Sequence, residues 1–444
     1  MLYERWLEIA RQRPRVVALH DLADGRVWTF KRLRDAAEAS SPPANGTVCP
    51  RGLGSQFVLE VLRAWRWNAI TIPLEPGQAR PSPAWDAARL AQLKARFPDC
   101  AHLKTTSATT GEPRLIAFTG EQLAADVDQI VWTMGLRPDW PNLGLISLAH
   151  SYGFSNLVLP LLLKGIPLIL GNSALPEAVS EAGTAADSFT LPAVPALWRA
   201  WHEARAIPAS VRLAISAGAP LSAPLEQQVF AANGLKIHNF YGCSECGGVA
   251  YDATESPRSD DACVGTPMQG VELNCDEGGC LEVRSRAAGQ GYWPAPIPTL
   301  GRGRFRTCDL AELKNGSVYL RGRTSDLMNV AGRKVAPEAI ERALLAHADV
   351  HECVVLGLPD PVGTRTETIA ACVVPRRKVP VEELRQFLLG QLPAWQVPRH
   401  WQMLEALPVN GRGKLPRAQL RGLFARAQLD PQAEGSGTGC GTHG

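Results

Sequence analysis

Short apolar segments that each run into a polar turn recur along the middle of the chain, and they constrain the fold more than any other feature. Leu143–Leu148 delivers Ala149-His150-Ser151-Tyr152-Gly153 to its end. Pro167–Leu170, Ser188–Leu191 and Val211–Ser216 repeat the pattern, and Leu235–Phe240 carries it into Tyr241-Gly242-Cys243-Ser244-Glu245. Strand, polar turn and helix in alternation predict a mostly parallel sheet covered by helices, with ligands beyond the carboxyl ends of its strands. At 444 residues, with 45% hydrophobic and 20% charged content, the chain can bury two or three such cores.

The flanks read as follows. Leu2, Trp6, Leu7, Ile9 and Ala10 form a helical stripe before Pro14, and Val16–His20 and Arg26–Phe30 are strands joined across Ala23-Asp24-Gly25. A helix over 31–40 follows. Leu115–Phe118 is a strand, and Thr119-Gly120-Glu121 opens a helix through Met134. Past Gly270 the period shortens to alternation in Val271–Asn274 and Leu281–Ser285, with Gly291-Tyr292-Trp293 behind them, which predicts a small antiparallel, β-rich subdomain. A boundary falls at Gly322–Asp326. Beyond it lies a compact α+β unit: strand 327–330, turn Gly332-Arg333, helix 337–347, strands 353–356 and 369–374, helix 381–392. The expected organisation is therefore a large N-terminal α/β domain over 1–321, a small mobile α+β domain over 322–430, and a disordered, glycine-rich tail over 431–444.

The formal net charge of +3 is close to neutral for this length, so nothing demands nucleic acid or an anionic surface. Basic stretches such as Arg412–Arg417 lack the aromatic interleaving of a nucleic-acid face. The most apolar run, Leu157–Leu170, is broken by Pro160, Lys164 and Pro167 and falls short of the ~20 residues a membrane span needs. No secretory core stands at the N-terminus, so a soluble, cytoplasmic protein is expected. The 11 cysteines are scattered and odd in number, which suits a reducing compartment. Cys243 with Cys246 and Cys275 with Cys280 could together hold zinc, but the second spacing is wide and unligated thiols are the default.

Several stretches carry chemistry. Lys104–Arg114 reads KTTSATTGEPR, with Thr105, Thr106, Ser107, Thr109 and Thr110 before Gly111 and a closing cation at Arg114. Hydroxyls and backbone N–H groups held open by glycine can wrap a polyanion; a solvated Ser/Thr loop is the plainer alternative. At the end of Leu235–Phe240, Tyr241 can stack a base, Gly242 admits a backbone, and Ser244 and Glu245 offer a hydroxyl and a carboxylate for a phosphate and a Mg²⁺. Equally, Tyr241 can be a core aromatic and Glu245 a helix-start charge. Asp309 either caps the Asn315-Gly316 turn or clasps a diol. His150, Tyr152 and Trp198 could line a pocket or serve as ordinary packing.

In chain order, TSATTGEPR (106–114), HSYGF (150–154), SAGAPL (216–221), NFYGCSE (239–245), FRTCDL (305–310), GRTSDLMNVAGRKVAPEAIE (322–341) and NGRGK (410–414) make the chain resemble the adenylate-forming superfamily. That superfamily includes acyl- and aryl-CoA ligases, peptide-synthetase adenylation domains and firefly luciferases. The resemblance implies that ATP and a carboxylic acid meet between a large domain and a small mobile one. It places Thr106, Ser107, Thr109, Thr110, Gly111 and Arg114 on the β- and γ-phosphates. Gly218, Ala219, Pro220, Asn239, Tyr241 and Gly242 fall around the adenine, and Ser244 on the α-phosphate. Glu245 would hold Mg²⁺, and Asp309 with Arg323 the ribose hydroxyls. Lys414 is implied as the catalytic cation, assisted by Glu245, Ser244 and His150. Ser325 and Asp326 form the hinge, Gly332 faces a thiol tunnel, and Tyr152, Gly153 and Trp198 border the acid.

The implied reaction joins a carboxylic acid to a thiol at the expense of ATP. The acid becomes an acyl-adenylate with release of pyrophosphate, then a thioester with coenzyme A or with the phosphopantetheine of an acyl carrier protein. Amino-acid-activating relatives carry an aspartate early in the His150 region, and HSYGFSN has none, so an aryl or fatty acid is expected. Departures from the family pattern are Ala108 for a glycine, Arg114 for a lysine, Cys308 for a glycine, Ser325 at the hinge, and a shorter N-terminal part. Ala108 and Cys308 favour the rival reading, a catalytically degenerate paralogue that binds nucleotide or a partner.

Overall fold

The computed structural model describes residues 1–78, 87–105, 114–330, 332–359, 367–408 and 419–424. The chain divides into two compact units, Met1–Thr307 with Ala311–Leu320, and Cys308–Leu310 with Arg321–Gly444. The core of the first unit is a nine-stranded sheet. Val17–Asp21, Leu168–Leu170, Asn142–Gly144, Phe189–Ala193, Val211–Ser216 and Ile237–Cys243 lie side by side and parallel. Antiparallel strands close both edges: Arg26–Thr29 at one, Gly247–Tyr251 and Thr266–Pro267 at the other.

The central strands are apolar on both faces because both faces are covered. Leu168, Leu170, Leu213 and Ile215 point into one hydrophobic core, while Ile169, Val211 and Ala214 alternate into another. The first core collects helices Leu2–Gln12, Phe30–Glu38, Ser55–Arg66 and Gly120–Met134; the second, helices Pro176–Ala182, Pro195–Glu203 and Ala223–Asn233. Helix Gly120–Met134 starts where its sequence says it should. Thr119 Oγ1 accepts from the Gln122 N–H at 3.1 Å, the Gln122 side chain accepts from the Thr119 N–H at 2.9 Å, and Gly135 ends the helix at φ +67°.

Three expectations change. The strand expected over Leu143–Leu148 spans only Asn142–Gly144, because Ser147 Oγ accepts the Ala149 N–H at 3.2 Å and donates to Glu75 at 2.7 Å, a local turn that competes with the ladder. The strand expected to end at Phe240 runs on to Cys243 and folds back as an antiparallel hairpin, with Gly242 opposite Gly248 and Cys243 opposite Gly247. A Cβ on Gly242 would sit 2.8 Å from the Gly247 carbonyl, so this close pairing requires glycine. Gly291–Trp293 does not join the antiparallel subdomain. It pairs with Leu115–Thr119 in a second sheet, ordered with Cys100–Thr105, Ile70–Thr71 and Thr47–Val48. Long-range pairing of so short a strand leaves no local periodicity to read. The β-rich subdomain itself comprises Val271–Cys275, Cys280–Ser285, Leu300–Gly301, Arg304–Lys314 and Ser317–Arg323.

One edge of the central sheet is anchored by four buried charges. Lys236 donates to Glu226 and, at 2.6 Å, to Asp252; Arg258 Nε donates to Glu226 at 2.7 Å. Arg258 also donates to the carbonyls of Leu221 (2.8 Å) and Cys263 (2.6 Å), and Asn239 Nδ2 reaches the Cys263 carbonyl at 3.4 Å. Burial pushes the Asp252 carboxyl up, but hydrogen bonds from Lys236 and Thr254 outweigh it and hold the pKa below the usual 3.8. A depressed acid stabilises the fold above its unfolded pKa, and that contribution is lost as pH falls through the folded value. Asp252→Asn should therefore lower the unfolding midpoint at pH 7, and the gap to the parent should close below pH 4; chemical denaturation across pH 2.5–7 measures it.

The second unit has a two-stranded ribbon, Met328–Val330 with Arg333–Val335, and a sheet of Val350–Pro359, Glu367–Pro375 and His400–Met403. Helices Pro337–Leu345 and Val381–Leu389 cover one face through Ile340, Leu344, Leu384 and Leu388. No described helix is long and apolar enough to cross a membrane.

Candidate active site

The ends of the parallel strands of the first unit and the turns beyond them hold Gly218–Pro220, Asn239–Gly242, Ser244 and Glu245. Val211–Ser216 ends in Gly218, Ala219 and Pro220, all exposed, with Gly218 at φ +87°. Beside it, Ile237–Cys243 carries Asn239 and Tyr241 and passes Gly242 at an irregularity in the register. Tyr241 is half-buried at the margin of the first core, which leaves part of its ring accessible.

Ser244 and Glu245 occupy the hairpin turn, not a helix start. Ser151 donates to Ser244 Oγ at 3.0 Å, and the Tyr292 hydroxyl donates to Glu245 Oε1 at 2.8 Å. The Gly289 N–H fixes the Glu245 carbonyl at 2.8 Å. Both side chains are thus oriented from other elements. The sequence signal for Ser151 was its place in HSYGF, whereas Tyr292 left none. The flanking thiols of Cys243 and Cys246 lie 3.0 Å apart and share a hydrogen bond. That bond and burial push the Cys243 thiol well up, so Cys243 stays protonated and offers no thiolate to a metal.

The His150 stretch caps a helix. His150 Nδ1 accepts the Tyr152 N–H at 3.3 Å, and helix Ser151–Gly153 continues into a π-helical turn, Phe154–Val158. A Cβ on Gly153 would sit 2.0 Å from the Ser147 carbonyl, so only glycine lets this helix pack on the preceding backbone. Tyr152 is buried, and its hydroxyl donates to the carbonyls of Ile215 (3.3 Å) and Ala193 (3.5 Å). Trp198 belongs to the core instead of a pocket wall. It is fully buried edge-on against Trp201, and its Nε1–H is satisfied by the Ile215 carbonyl at 3.2 Å.

In the second unit, Arg323 Nε donates to Asp309 at 2.7 Å, so the two expected ribose ligands engage each other. Thr324 N–H returns to the Cys308 carbonyl at 2.8 Å, and Ser325 Oγ donates to Asp326 at 3.1 Å. Gly332, exposed at φ +81°, makes the turn of the ribbon. Arg114 is exposed immediately before strand Leu115–Thr119. Thr106, Ser107, Thr109, Thr110, Gly111 and Lys414 lie outside the described residues, as do Ala108 and the tail.

Among the described residues one cluster has metal-ligating types together, His347, Asp349 and Glu383. His347 Nδ1 already accepts the Asp349 N–H at 3.2 Å, and Arg377 grips both Asp349 oxygens at 2.6 Å, so its ligand atoms are engaged.

The chain matches the AMP-binding enzyme family over residues 68–293 and the AMP-binding enzyme C-terminal domain over 339–414. It is 30% identical over 344 residues to a probable 2-succinylbenzoate–CoA ligase of Mycobacterium tuberculosis, covering 74% of this chain and 85% of that one. It is 29% identical over 426 residues to an anthranilate–CoA ligase of Pseudomonas aeruginosa, covering 87% and 77%. Its fold superposes on o-succinylbenzoate CoA synthetase from Bacillus subtilis, in complex with an acyl-adenylate intermediate, with a TM-score of 0.80 at 20% identity over 94% of this chain and 97% of that chain.

Proposed function

The chain belongs to the AMP-binding enzyme family of the adenylate-forming superfamily, and from that premise we propose that it activates a non-amino carboxylic acid with ATP and passes the acyl group to a thiol. It is an AMP-forming acid–thiol ligase. The observation that carries the reading is the hairpin turn at the end of Ile237–Cys243, where Ser244 and Glu245 are held by Ser151 and Tyr292. An aryl acid is favoured by the aryl-CoA ligases among the relatives. The acceptor is coenzyme A or a carrier-protein phosphopantetheine.

A carboxylate is a poor acceptor for a thiol because its leaving group would be oxide. Attack of a carboxylate oxygen on the α-phosphorus expels pyrophosphate and makes AMP the new leaving group. Glu245 fits a Mg²⁺, being a hard oxygen ligand fixed by Tyr292, with the protonated Cys243 thiol beside it offering no competing thiolate. Mg²⁺ held there would supply a Lewis acid that disperses phosphate charge. Tyr241 stacks the adenine beside Gly218–Pro220, and Ser244 binds the α-phosphate. The stretch Thr106–Gly111 with Arg114 takes the outgoing phosphates. Asp309 and Arg323 exchange their mutual contact for the ribose hydroxyls. His150, Tyr152 and Gly153 shape the acid side. Lys414 neutralises charge that builds on the α-phosphate oxygens and then withdraws as the small unit turns about Ser325 and Asp326, bringing Gly332 toward the thiol.

Tyr292→Phe removes a hydrogen bond to a carboxylate, a loss of about 1.5–3 kcal/mol where the acceptor is charged. The Mg²⁺ concentration for half-maximal adenylation should rise about tenfold or more, with the KM for the acid unchanged; initial rates over a Mg²⁺ series give the answer. The reading as a whole is tested by acid-dependent exchange of labelled pyrophosphate into ATP across aryl and fatty acids. Exchange supported by one class names the substrate, and no exchange with any acid, alongside intact ATP binding, would mark a degenerate paralogue.

A further inference from the structure

Lys104 lies on strand Cys100–Thr105, two residues before the hydroxyl stretch begins at Thr106, yet it is buried. Its Nζ is 3.7 Å from Asp126 Oδ2 and 3.5 Å from Ser155 Oγ, and it lies 4.6 Å from the centre of the Phe118 ring. Ser155 donates to the same Asp126 oxygen at 2.6 Å. Asp126 comes from the middle of helix Gly120–Met134, Ser155 from the π-helical turn that follows His150–Gly153. The other Asp126 oxygen, Oδ1, accepts the Gly248 N–H at 3.3 Å. Gly247, at φ +70°, has no room for a side chain: a Cβ there would lie 2.0 Å from Asp126 Oδ1. The hairpin backbone is pressed onto this carboxylate.

We infer that Asp126 is a positioning residue that locks three site-bearing segments together: the strand leading to Thr106–Gly111, the helix after His150, and the turn holding Ser244 and Glu245. The inference rests on the proposed adenylation site but assigns it a support that the family motifs quoted above do not contain. A buried lysine and aspartate are costly to keep unless they fix a geometry, since apolar residues of the same volume fill such a site as well or better. Asp126 uses both oxygens on different elements, so its replacement frees the Glu245 turn from the phosphate-binding strand. Lys104, Asp126 and Ser155 are engaged with one another and with the Gly248 N–H.

The test compares the parent with Ser155→Ala, Asp126→Asn and the double variant Lys104→Met with Asp126→Leu, the last removing both charges so that neither is left buried alone. Pyrophosphate exchange by the parent with some acid must be found first; its failure would count against the function and leave the network unaddressed. Given exchange, the double variant is expected to melt near the parent temperature, to raise the KM for Mg-ATP at least tenfold, and to exchange backbone amide hydrogens faster across 244–248. Ser155→Ala should move the same quantities by a few fold. A folded double variant with parental KM for Mg-ATP and parental amide exchange overturns the inference. Should that variant not fold, Ser155→Ala and Asp126→Asn decide: a parental KM for Mg-ATP with parental amide exchange across 244–248 in both makes the network structural only.

Discussion

Lys414→Ala should lose adenylation by a factor of 10²–10³, the usual cost of deleting one preorganised group that stabilises transition-state charge. Thioester formation from preformed acyl-adenylate should stay within a few fold of the parent. The asymmetry follows from where charge develops. In the first step a carboxylate attacks a phosphate ester, two anions are brought together, and negative charge accumulates on the α-phosphate oxygens. In the second, a thiol adds to an activated carbonyl and loses its proton, and AMP leaves with the electron pair of the broken carbon–oxygen bond; new charge forms on the departing oxygen, but no second anion is driven onto the α-phosphorus. The role proposed for Lys414 serves the first step only. Pyrophosphate exchange and single-turnover thiolation, run on the same preparation, separate the two. Equal loss in both half-reactions would remove Lys414 from the role assigned to it.

Glu226→Ala should cost about 3–5 kcal/mol of folding free energy, because it leaves Lys236 and Arg258 buried against a single remaining carboxylate. Glu226 is fully buried and receives Lys236, Arg258 Nε at 2.7 Å and the Arg258 N–H at 2.9 Å. The consequence extends to the site. Arg258 holds the carbonyls of Leu221, just past Gly218–Pro220, and of Cys263, which Asn239 also reaches. A denaturation midpoint lowered by that amount, with a raised KM for ATP in the folded fraction, is the expected pair of results. A midpoint within about 0.5 kcal/mol of the parent, the range of ordinary surface substitutions, would show that the four charges do not support this edge of the sheet.

The chemistry of the fold was legible where local pattern and tertiary role coincide. The capping box at Thr119, the apolar strands buried on both faces and the proline-initiated helix at Pro337 all follow from residues a few positions apart. What could not be read is long-range. Gly291–Trp293 is three residues long and says nothing locally about pairing with Leu115–Thr119, so Tyr292 as the partner of Glu245 was invisible. Glycines at 242, 247 and 248 look like a turn, and only the structure shows them opposing one another in a hairpin pressed on Asp126. Trp198 sits near a helix start within an apolar stretch, a pattern shared by pocket walls and cores; the indole bond to Ile215 decides for the core.

The central claim is that a carboxylate oxygen of the substrate attacks the α-phosphorus before any thiol reacts. It is tested most directly by supplying the acid with both carboxyl oxygens replaced by ¹⁸O and analysing the products by mass spectrometry after thioester formation. One ¹⁸O should appear in the phosphate of AMP, with unlabelled pyrophosphate and one ¹⁸O retained in the thioester carbonyl. Label in inorganic phosphate accompanied by ADP, or AMP free of label, would contradict the account.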